Sequence, residues 1–446
     1  MTTAAQQLGE FVAALRVDAV EPALLDKTKD HLLDTIGVAC AGLAEQPVLT
    51  TAEVVRGWGG APHASVIGSS LLLPAPKAAF LNALAARIHT FDDTHEAGPA
   101  HPGSAVVSAA LAAAEQAGAS GRTLLAAVLA GYEVATRVSR AFGAAHYNSG
   151  FHSTGTCTPF GAAAAAARAF SLDAAATTAA IALAGEAAIG FRQYQQDGSM
   201  LNTALNAARG SESGVGAAEM AAAGLSGPPG ILDGRWGVIK IMGGGDPASV
   251  AKDLGTHWEF RDTVLKPYSS CRFTHGPVDV LRASGLDPAA IEHLEIATFR
   301  TSCDVSDRPD PRNEFDAILS HQLAAALALL RRPILPATYR ALDGTARDLA
   351  ARVSVRHDPS LDAQYPARWP HRLTVSLKDG SIRVLLSDQP PAAGRAAARA
   401  KFLALASPVL GAERAGAVAA MVAVLEILPD TSGLTRLLRP DRAAAA

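Results

Sequence analysis

The run Phe160-Gly-Ala-Ala-Ala-Ala-Ala-Ala-Arg-Ala-Phe170 indicates the fold class most directly, because alanine has the highest helix propensity of all residues. Alanine side chains are also small, so helices built from them can lie close together. The 446-residue chain contains 95 alanines, and similar runs recur on the amino-terminal side of Lys266. The sequence therefore predicts a compact bundle in which alanine-rich helices pack in several layers.

Further helices are predicted where apolar residues recur at helical spacing and glycines separate the runs. The predicted helices on this side of the chain cover residues 25–43, 78–88, 104–116, 121–140 and 160–170. The most apolar run is interrupted by Arg168 and is shorter than the roughly 20 residues that cross a bilayer. The start of the chain carries Glu10 and no basic segment before an apolar run. We therefore expect neither a membrane span nor a signal peptide.

The sequence changes character after Lys266, where short strand-like runs replace the alanine-rich helices. Residues 291–300 and 353–357 are predicted strands, and residues 316–330 form a predicted helix between them. The clearest hairpin signal is Asp379-Gly380, because alternating apolar and polar residues flank this pair on both sides. These elements predict a small α+β unit.

The expected architecture is mainly α with an inserted α+β domain. Alanine-rich helical sequence resumes after Gln389-Pro-Pro391, which we interpret as a linker. The predicted domains are a helical domain in residues 1–266, an α+β lid domain in residues 267–390 and a return to the helical domain in residues 391–446.

Composition excludes several classes of function. A net charge of −3 and an aromatic content of 5% provide neither the basic stripe nor the stacking surface of a nucleic-acid-binding protein. The chain has no G-x-x-x-x-G-K-[ST] motif, no G-x-G-x-x-G between a strand and a helix, and no G-x-S-x-G elbow. Its four cysteines are scattered and form no C-x-x-C pair, which is typical of reduced intracellular proteins and favours a cytoplasmic location.

Four polar segments interrupt the apolar sequence and hold the residues that can carry chemistry. They are residues 89–102, 150–156, 191–203 and 266–275. The first combines His101 with acidic residues but matches no specific metal motif, and a solvated loop has a similar composition. The second places His152 before the alanine run, where Thr154 or Thr156 is expected to cap the helix.

The other two segments contribute cations. Arg192 can clamp a carboxylate with two parallel hydrogen bonds, although a polar helix end is an equally simple interpretation. Lys266 begins the segment at the predicted domain junction, a favoured place for ligand sites, and a linker with a helix cap is the alternative interpretation. Together these segments favour an anionic substrate that cations hold and histidines deprotonate or protonate.

The order of short motifs along nearly the whole chain resembles the MmgE/PrpD family. The matching pieces are Leu33-Asp-Thr-Ile-Gly37, Phe91-Asp-Asp-Thr94 with His101-Pro102, Gly131-Tyr-Glu-Val134, His152-Ser-Thr-Gly155 with Phe160-Gly-Ala-Ala163, Gly214-Val215 with Ala217-Ala218, Leu225-Ser-Gly-Pro228, and Lys266-Pro-Tyr268 with Cys271 and His275. The family includes 2-methylcitrate dehydratase, cis-aconitate decarboxylase and iminodisuccinate epimerase.

The resemblance implies a homodimeric lyase or isomerase without a cofactor or metal, which acts on a small di- or tricarboxylate between a helical domain and an α+β lid. The candidate catalytic residues are His101, His152, Lys266 and Asp93. The candidate substrate-binding residues are Asp92, Thr94, Arg192, Gln193, Ser270, His275 and His321.

The chain departs from the family pattern at three places. Thr90 stands where related chains have an aspartate before Phe-Asp-Asp-Thr, and Thr203-Ala-Leu-Asn206 replaces a Lys-Pro-Leu-His string. His321 takes the place of a tyrosine in the lid helix. Arg192 is a possible source of the positive charge that the missing lysine supplies elsewhere.

The sequence predicts a cofactor-independent dehydratase or decarboxylase that uses histidine acid/base catalysis. Three alternatives stay open at this point. They are an epimerase on the same scaffold, a homologue that binds carboxylates without turnover, and a metal-dependent hydrolase suggested by the His/Asp-rich loop.

Overall fold

The computed structural model describes residues 2–440 of the chain. The protein is mainly helical with a smaller α+β domain, which confirms the predicted fold class. The helices before Lys266 are α1 (Ala4–Ala14), α2 (Pro22–Leu43), α3 (Gln46–Gly57), α4 (Ala75–Arg87), α5 (Gly103–Ala117), α6 (Gly121–Asn148), α7 (Ser153–Ala169), α8 (Ala174–Ala184), α9 (Gln193–Asp197), α10 (Met200–Ala222) and α11 (Val238–Ile241). The short strands in this part are β1 (Ala64–Ser65), β2 (Leu72–Leu73), β3 (Thr94–His95) and β4 (Thr263–Val264).

The α+β domain and the carboxy-terminal return follow. Their helices are α12 (His275–Ala283), α13 (Arg300–Ser306), α14 (Glu314–Leu319), α15 (His321–Leu329), α16 (Pro336–Arg340), α17 (Gly344–Ala350), α18 (Arg395–Leu410), α19 (Ala412–Ala423) and α20 (Ser432–Leu437). The strands are β5 (Ile291–Thr298), β6 (Val353–His357), β7 (His371–Leu377) and β8 (Ile382–Ser387).

The alanine-rich helices α5, α6 and α7 pack closely because small residues face each other where they meet. A Cβ added at Gly131 of α6 would lie 2.6 Å from Cγ1 of Val106 and 2.8 Å from Cβ of Ala165. A Cβ added at Gly161 of α7 would lie 2.6 Å from the carbonyl oxygen of Gly131. Such distances leave no room for a larger side chain, so the high alanine and glycine content is a packing requirement.

We expect Gly131→Val to destabilise the helical domain by roughly 3 kcal/mol, because the added methyl groups overpack this contact. Gly216→Ala in α10 is the matched control, since no atom lies within 4 Å of a Cβ built there. The control substitution should stabilise the helical domain slightly, because alanine has a higher helix propensity than glycine. Thermal unfolding measures both, and equal melting temperatures would contradict the packing argument.

The α+β domain is built on one four-stranded sheet in the order β6-β5-β7-β8. Strands β5 and β6 are parallel, and the pairs β5–β7 and β7–β8 are antiparallel. The predicted hairpin is present as β7 and β8, with Gly380 at φ 86° in the connecting turn. Only glycine adopts this backbone conformation without strain, which explains why Asp-Gly marked the turn.

Two local predictions were wrong for identifiable reasons. The helix predicted over residues 316–330 is divided into α14 and α15 at Ser320, whose side chain accepts a hydrogen bond from the N–H of Leu323 and caps α15. Helix α7 begins at Ser153, so Thr154 and Thr156 lie inside its first turn and do not cap it. Its N-cap residue is His152, which makes no side-chain capping bond.

The carboxy-terminal helices share the hydrophobic core of the amino-terminal ones. Phe402 of α18 is fully buried and lies against Gly37 of α2, where an added Cβ would be 3.1 Å from the Cα of Phe402. Val418 of α19 and Leu434 of α20 belong to the same core. The helical domain is therefore assembled from both ends of the chain, and the sheet lies in the sequence between them.

No single helix within residues 2–440 is long and apolar enough to cross a membrane. Helices α2 and α3 reach the required length and composition only as a pair, and the chain bends by 90° between them.

Candidate active site

A cavity of about 50 Å³ lies where the helical domain meets the α+β domain. One wall is polar and comes from the helical domain and the junction: Arg87, Thr90, Thr94, His101, His152 and Lys266. The opposite wall is formed by apolar side chains of the α+β domain: Phe273, Val305, Phe315, Leu319 and Trp369. Because three of the candidate catalytic residues share one wall, this cavity is the candidate active site.

Lys266 is completely buried on the polar wall. Its Nζ donates a hydrogen bond of 2.8 Å to the carbonyl oxygen of Thr90, which has φ 52°, an uncommon backbone conformation for a threonine. Within residues 2–440, no carboxylate oxygen lies within 4.0 Å of this ammonium group. Burial lowers the pKa of Lys266 to about 7, and the nearby Asp92 carboxylate opposes this shift. Lys266 therefore supplies a positive charge that an anionic ligand can neutralise.

Arg87 and Asp92 form a buried ion pair beside Lys266. The guanidinium Nη1 of Arg87, in the last turn of α4, donates to Oδ1 of Asp92 at 2.8 Å. Burial raises the pKa of the Asp92 carboxyl, while the positive charges of Arg87 and Lys266 oppose this rise. Asp92 thus lies behind the cavity wall and balances part of its positive charge.

His101 is held in one tautomer by the backbone. Its Nδ1 lies 2.7 Å from the carbonyl oxygen of Asp93, and a carbonyl oxygen only accepts, so Nδ1 carries the hydrogen. The neutral ring therefore has its lone pair on Nε2. Burial lowers the pKa of His101 well below its usual value near 6.5, and the cations Arg87 and Lys266 lower it further. His101 is consequently a neutral base at neutral pH.

His152 is the second histidine of the cavity. Its ring lies nearly parallel to that of His101, with centroids 6.2 Å apart and an angle of 18° between the planes. Burial, followed by the charges of Arg87 and Arg192, also lowers the pKa of His152 well below 6.5. Tyr147 and Tyr194 flank this ring at 6.2 Å and 5.8 Å. The cavity thus contains two neutral imidazoles.

Four polar atoms of cavity-lining residues have no hydrogen-bond partner among residues 2–440. They are Oγ1 of Thr90, Oγ1 of Thr203, Nε of Arg87 and Nδ1 of His152. Buried polar atoms without a partner are costly, and they are commonly satisfied by a ligand or by water. All four belong to residues that line one cavity, which favours a binding site for a polar molecule there.

The carboxylate of Asp93 faces away from the cavity. It accepts hydrogen bonds from Nδ1 of His31 at 2.9 Å, the hydroxyl of Tyr132 at 2.7 Å and the N–H of Gly103 at 3.0 Å. Burial favours a raised pKa for Asp93, but these hydrogen bonds outweigh it and the pKa is lowered. Asp93 therefore orients His101 through its backbone carbonyl, and its charged side chain fixes the loop from behind.

Arg272 connects the α+β domain to the loop and to the linker. Its Nη2 lies 2.7 Å from Oε1 of Glu96, and the same guanidinium group donates to the carbonyl oxygens of Pro390 and Pro391. Its Nη1 also donates to Nδ1 of His275 at 3.2 Å. The charge of Arg272 is thus balanced by Glu96, although its side chain reaches the cavity wall.

Five predicted substrate-binding residues, Arg192, Gln193, Ser270, His275 and His321, lie outside the cavity lining. Arg192 stacks on the ring of Tyr147 at 3.8 Å without lining the cavity, and exposed Gln193 bonds to Asp197. Ser270 accepts a hydrogen bond from Thr274, and His275 lies behind Arg272. His321 bonds to Ser302 inside the α+β domain. Thr94 does line the cavity, and its Oγ1 lies 3.2 Å from Nδ1 of His101.

Several lining residues were not predicted from the sequence. Arg87 could have been noticed in the sequence, because it is the only charged residue after Lys77 in an alanine-rich helix. Tyr194 and Gln195 belong to the polar segment 191–203 but were not singled out within it, and Tyr147 lies at a helix position that carries no distinguishing pattern. The apolar residues of the opposite wall are ordinary core residues by sequence, and only the tertiary structure brings them to the cavity.

The MmgE/PrpD N-terminal domain model matches residues 6–251, and the MmgE/PrpD C-terminal domain model matches residues 268–427. The chain belongs to the MmgE/PrpD family. This MmgE/PrpD protein is 26% identical to cis-aconitate decarboxylase of Mus musculus over 96% of its own length and 92% of that relative. It is 23% identical to cis-aconitate decarboxylase of Aspergillus terreus over 97% of its own length and 95% of the relative. These relatives support a lyase-type enzyme at the level of the family.

Proposed function

We propose that this protein is a cofactor-independent lyase that removes water or carbon dioxide from a small carboxylic acid. The observation that carries this proposal is the pair of buried, nearly parallel imidazole rings of His101 and His152, which line the same cavity as Lys266, whose ammonium group has no direct carboxylate partner within residues 2–440. A buried cation attracts a carboxylate, and a neutral histidine can take a proton from carbon.

For a dehydration, Lys266 binds the substrate carboxylate and stabilises the negative charge that develops on its oxygens. Nε2 of His101 takes the proton from the carbon next to that carboxylate. The C–O bond to the hydroxyl group on the following carbon breaks, and a proton delivered through His152 converts the departing hydroxide to water. The products are an unsaturated acid and water.

For a decarboxylation, the C–C bond to a carboxylate breaks and its electron pair stays on carbon. Carbon dioxide leaves, and that carbon takes up a proton from solvent, which one of the histidines relays. The names of the two relatives favour this branch, whereas the paired histidines suit both branches.

An epimerase is the second candidate, and the presence of two histidines in one cavity favours it. Two-base epimerisation needs two bases beside the same carbon, and His101 and His152 are two imidazoles that line one cavity. Such an enzyme would exchange the carbon-bound proton without any leaving group.

One panel of hydroxylated and unsaturated carboxylic acids tests these alternatives. Absorbance of a new double bond reports dehydration, released carbon dioxide reports decarboxylation, and deuterium incorporation alone reports epimerisation. Activity that survives chelator treatment would exclude the metal-dependent hydrolase. Binding without turnover would identify an inactive homologue and contradict the proposed lyase. The homodimer and the cytoplasmic location remain predictions from the family resemblance and the cysteine pattern.

A further inference from the structure

Of the four cysteines, all of which lie within residues 2–440, only Cys271 lines the candidate active site. Its side chain is half-buried and packs against the apolar cluster that contains Phe273 and Trp369. Its backbone N–H donates to the carbonyl oxygen of Ile318 at 3.0 Å, directly before the short helical turn that begins at Arg272. The thiol is therefore held at the apolar wall of the cavity by a fixed stretch of backbone.

The ammonium group of Lys266 is close to this thiol. Both side chains line the same small cavity, and a negative charge on Cys271 would raise the pKa of Lys266. Within residues 2–440, no carboxylate oxygen lies within 4.0 Å of the Lys266 ammonium group. Lys266 can therefore bind the carboxylate of a small molecule whose carbon atoms then lie beside the sulfur of Cys271.

Unpartnered polar atoms around the cavity independently indicate a ligand in front of this thiol. Thr90 and Thr203 are at most 5% exposed and line the cavity, and their Oγ1 atoms have no hydrogen-bond partner in the part of the chain that the structure describes. Nε of the buried Arg87 also lacks a partner there. Buried polar atoms of this kind are commonly satisfied by a bound molecule or by water. The space beside Cys271 is therefore suited to a polar ligand.

The other three thiols are in different surroundings. Cys40 and Cys157 are fully buried, and burial raises the pKa of both thiols to about 12. Cys303 of α13 is half-buried, and burial together with the carboxylates of Asp307 and Asp304 raises its pKa to about 11. Because the thiolate is the nucleophile, a raised pKa makes a thiol less reactive. The two carboxylates also repel an anionic reagent, so such a reagent should prefer the thiol in the cavity.

We propose that Cys271 is a covalent modification site for small α,β-unsaturated carboxylic acids whose carboxylate binds to Lys266. This inference rests on the proposed function, which makes Lys266 the cation that binds a carboxylate. In the reaction, the thiol loses its proton and the sulfur forms a bond to the β-carbon of the acid. The π electrons of the C=C bond move to the α-carbon, which takes up a proton from water. The sum is the addition of S–H across C=C, and no oxidant or reductant is needed.

This addition is the reverse of the proposed dehydration, with the sulfur of Cys271 in place of the hydroxyl oxygen. The product of that dehydration is an unsaturated acid, so the product belongs to the class of molecules that would modify the enzyme. The resulting thioether would occupy the cavity, since about 50 Å³ accommodates only a few water molecules. We therefore expect modification to block the site and to make the activity self-limiting when the product accumulates.

Acrylate and acrylamide test the inference on the intact protein, because they present the same terminal double bond with and without a negative charge. Labelling at pH 7 leaves about half of Lys266 protonated. Peptide mass spectrometry measures the adduct on each cysteine over time. We expect the ratio of the acrylate rate to the acrylamide rate at Cys271 to exceed the same ratio at Cys303 by at least about tenfold, because a cation in a confined site concentrates an anionic reagent.

Three variants identify the groups responsible. Lys266→Met should lower the acrylate-to-acrylamide ratio at Cys271 by at least about tenfold. Lys29→Met should leave this ratio unchanged, because Lys29 is a buried cation that pairs with Glu426 and does not line the cavity. Cys271→Ser should form no adduct in the cavity, and its remaining activity should stay constant during exposure to acrylate. The wild-type activity should decline in step with the labelling of Cys271.

Labelling and turnover are separate measurements, so failure of the inference and failure of the lyase proposal can be distinguished. Equal ratios at Cys271 and Cys303, an unchanged ratio in Lys266→Met, absence of an adduct at Cys271 or full activity of the labelled enzyme would overturn the inference, even where the acid panel shows lyase turnover. Selective labelling of Cys271 by acrylate without turnover of any acid in the panel would support the inference and contradict the lyase proposal alone.

Discussion

Replacing Lys266 by methionine is expected to lower kcat/KM by a factor of about 100 to 1,000, since truncating one partner of a buried charge pair costs about 2–5 kcal/mol. The ammonium group is completely buried, donates only to the Thr90 carbonyl and has no direct carboxylate partner within residues 2–440. A substrate carboxylate is therefore its proposed counter-ion. Steady-state kinetics with the best acid of the panel measures the effect.

The same substitution should not reduce stability. Burial lowers the pKa of Lys266 to about 7 in the folded protein, well below the value of about 10.4 for an unfolded chain. The unfolded state therefore binds the Lys266 proton more tightly than the folded state does. Below pH 7 the lysine is charged in both states, and the buried charge lowers the free energy of unfolding. Methionine removes this cost, so a loss of activity combined with an unreduced melting temperature would separate a binding role from a structural one.

The pH dependence of kcat/KM is a second test of the proposed carboxylate-binding role of Lys266. The wild-type kcat/KM should fall as the pH rises through about 7, because Lys266 loses its proton and with it the attraction for the carboxylate. The Lys266→Met protein should lack this decline. A wild-type profile that stays flat between pH 6 and pH 9 would contradict the assignment of Lys266 as the carboxylate-binding cation.

Lys29→Met is a matched control for this experiment. Lys29 is also buried in the helical domain, but it pairs with Glu426 at 2.7 Å and does not line the cavity. Its replacement should lower the melting temperature, because it leaves a carboxylate without a partner. The decline of kcat/KM with pH should be unchanged in this control.

The architecture could be predicted because its signals are local. Helical spacing and alanine runs mark α2, α4, α5, α6 and α7, and the Asp379-Gly380 turn marks the hairpin. The ends of α4 and α5 were predicted to within three residues. Helix α6 exceeds its predicted end because it continues past a break at Gly143 to Asn148. The glycine predicted the end of the helix, but the backbone returns to the helical conformation after Gly143.

The site was harder to predict because its geometry depends on distant contacts. Arg192 is conspicuous in the sequence, but it stacks on Tyr147 and does not line the cavity. Asp93 lies next to the site in sequence, yet His31 and Tyr132 draw its carboxylate away from the cavity. The apolar wall could not be predicted at all, since aromatic residues such as Trp369 have no pattern that distinguishes a cavity from a core.

The substitution His101→Asn removes the proposed base but keeps the hydrogen bond to the loop. The side-chain amide of asparagine can donate to the Asp93 carbonyl, as Nδ1 of His101 does at 2.7 Å, but it has no basic nitrogen at the position of Nε2. We therefore expect kcat to fall by about a thousandfold, which is within the usual contribution of a general base. Carbon-bound deuterium exchange should be lost in parallel, since the same group removes the proton.

His146→Asn is the control for this prediction, because the Nδ1 of His146 also donates a hydrogen bond to a backbone carbonyl oxygen. Nδ1 of His146 lies 2.5 Å from the carbonyl oxygen of Met242, and burial also lowers its pKa, but this ring does not line the cavity. The control should keep kcat and deuterium exchange within about threefold of the wild type, as expected for a substitution away from the reacting atoms. Equal losses in both variants would identify His101 as a structural residue. A large loss confined to His101→Asn, with unchanged thermal unfolding, would instead establish that Nε2 of His101 takes part in proton transfer.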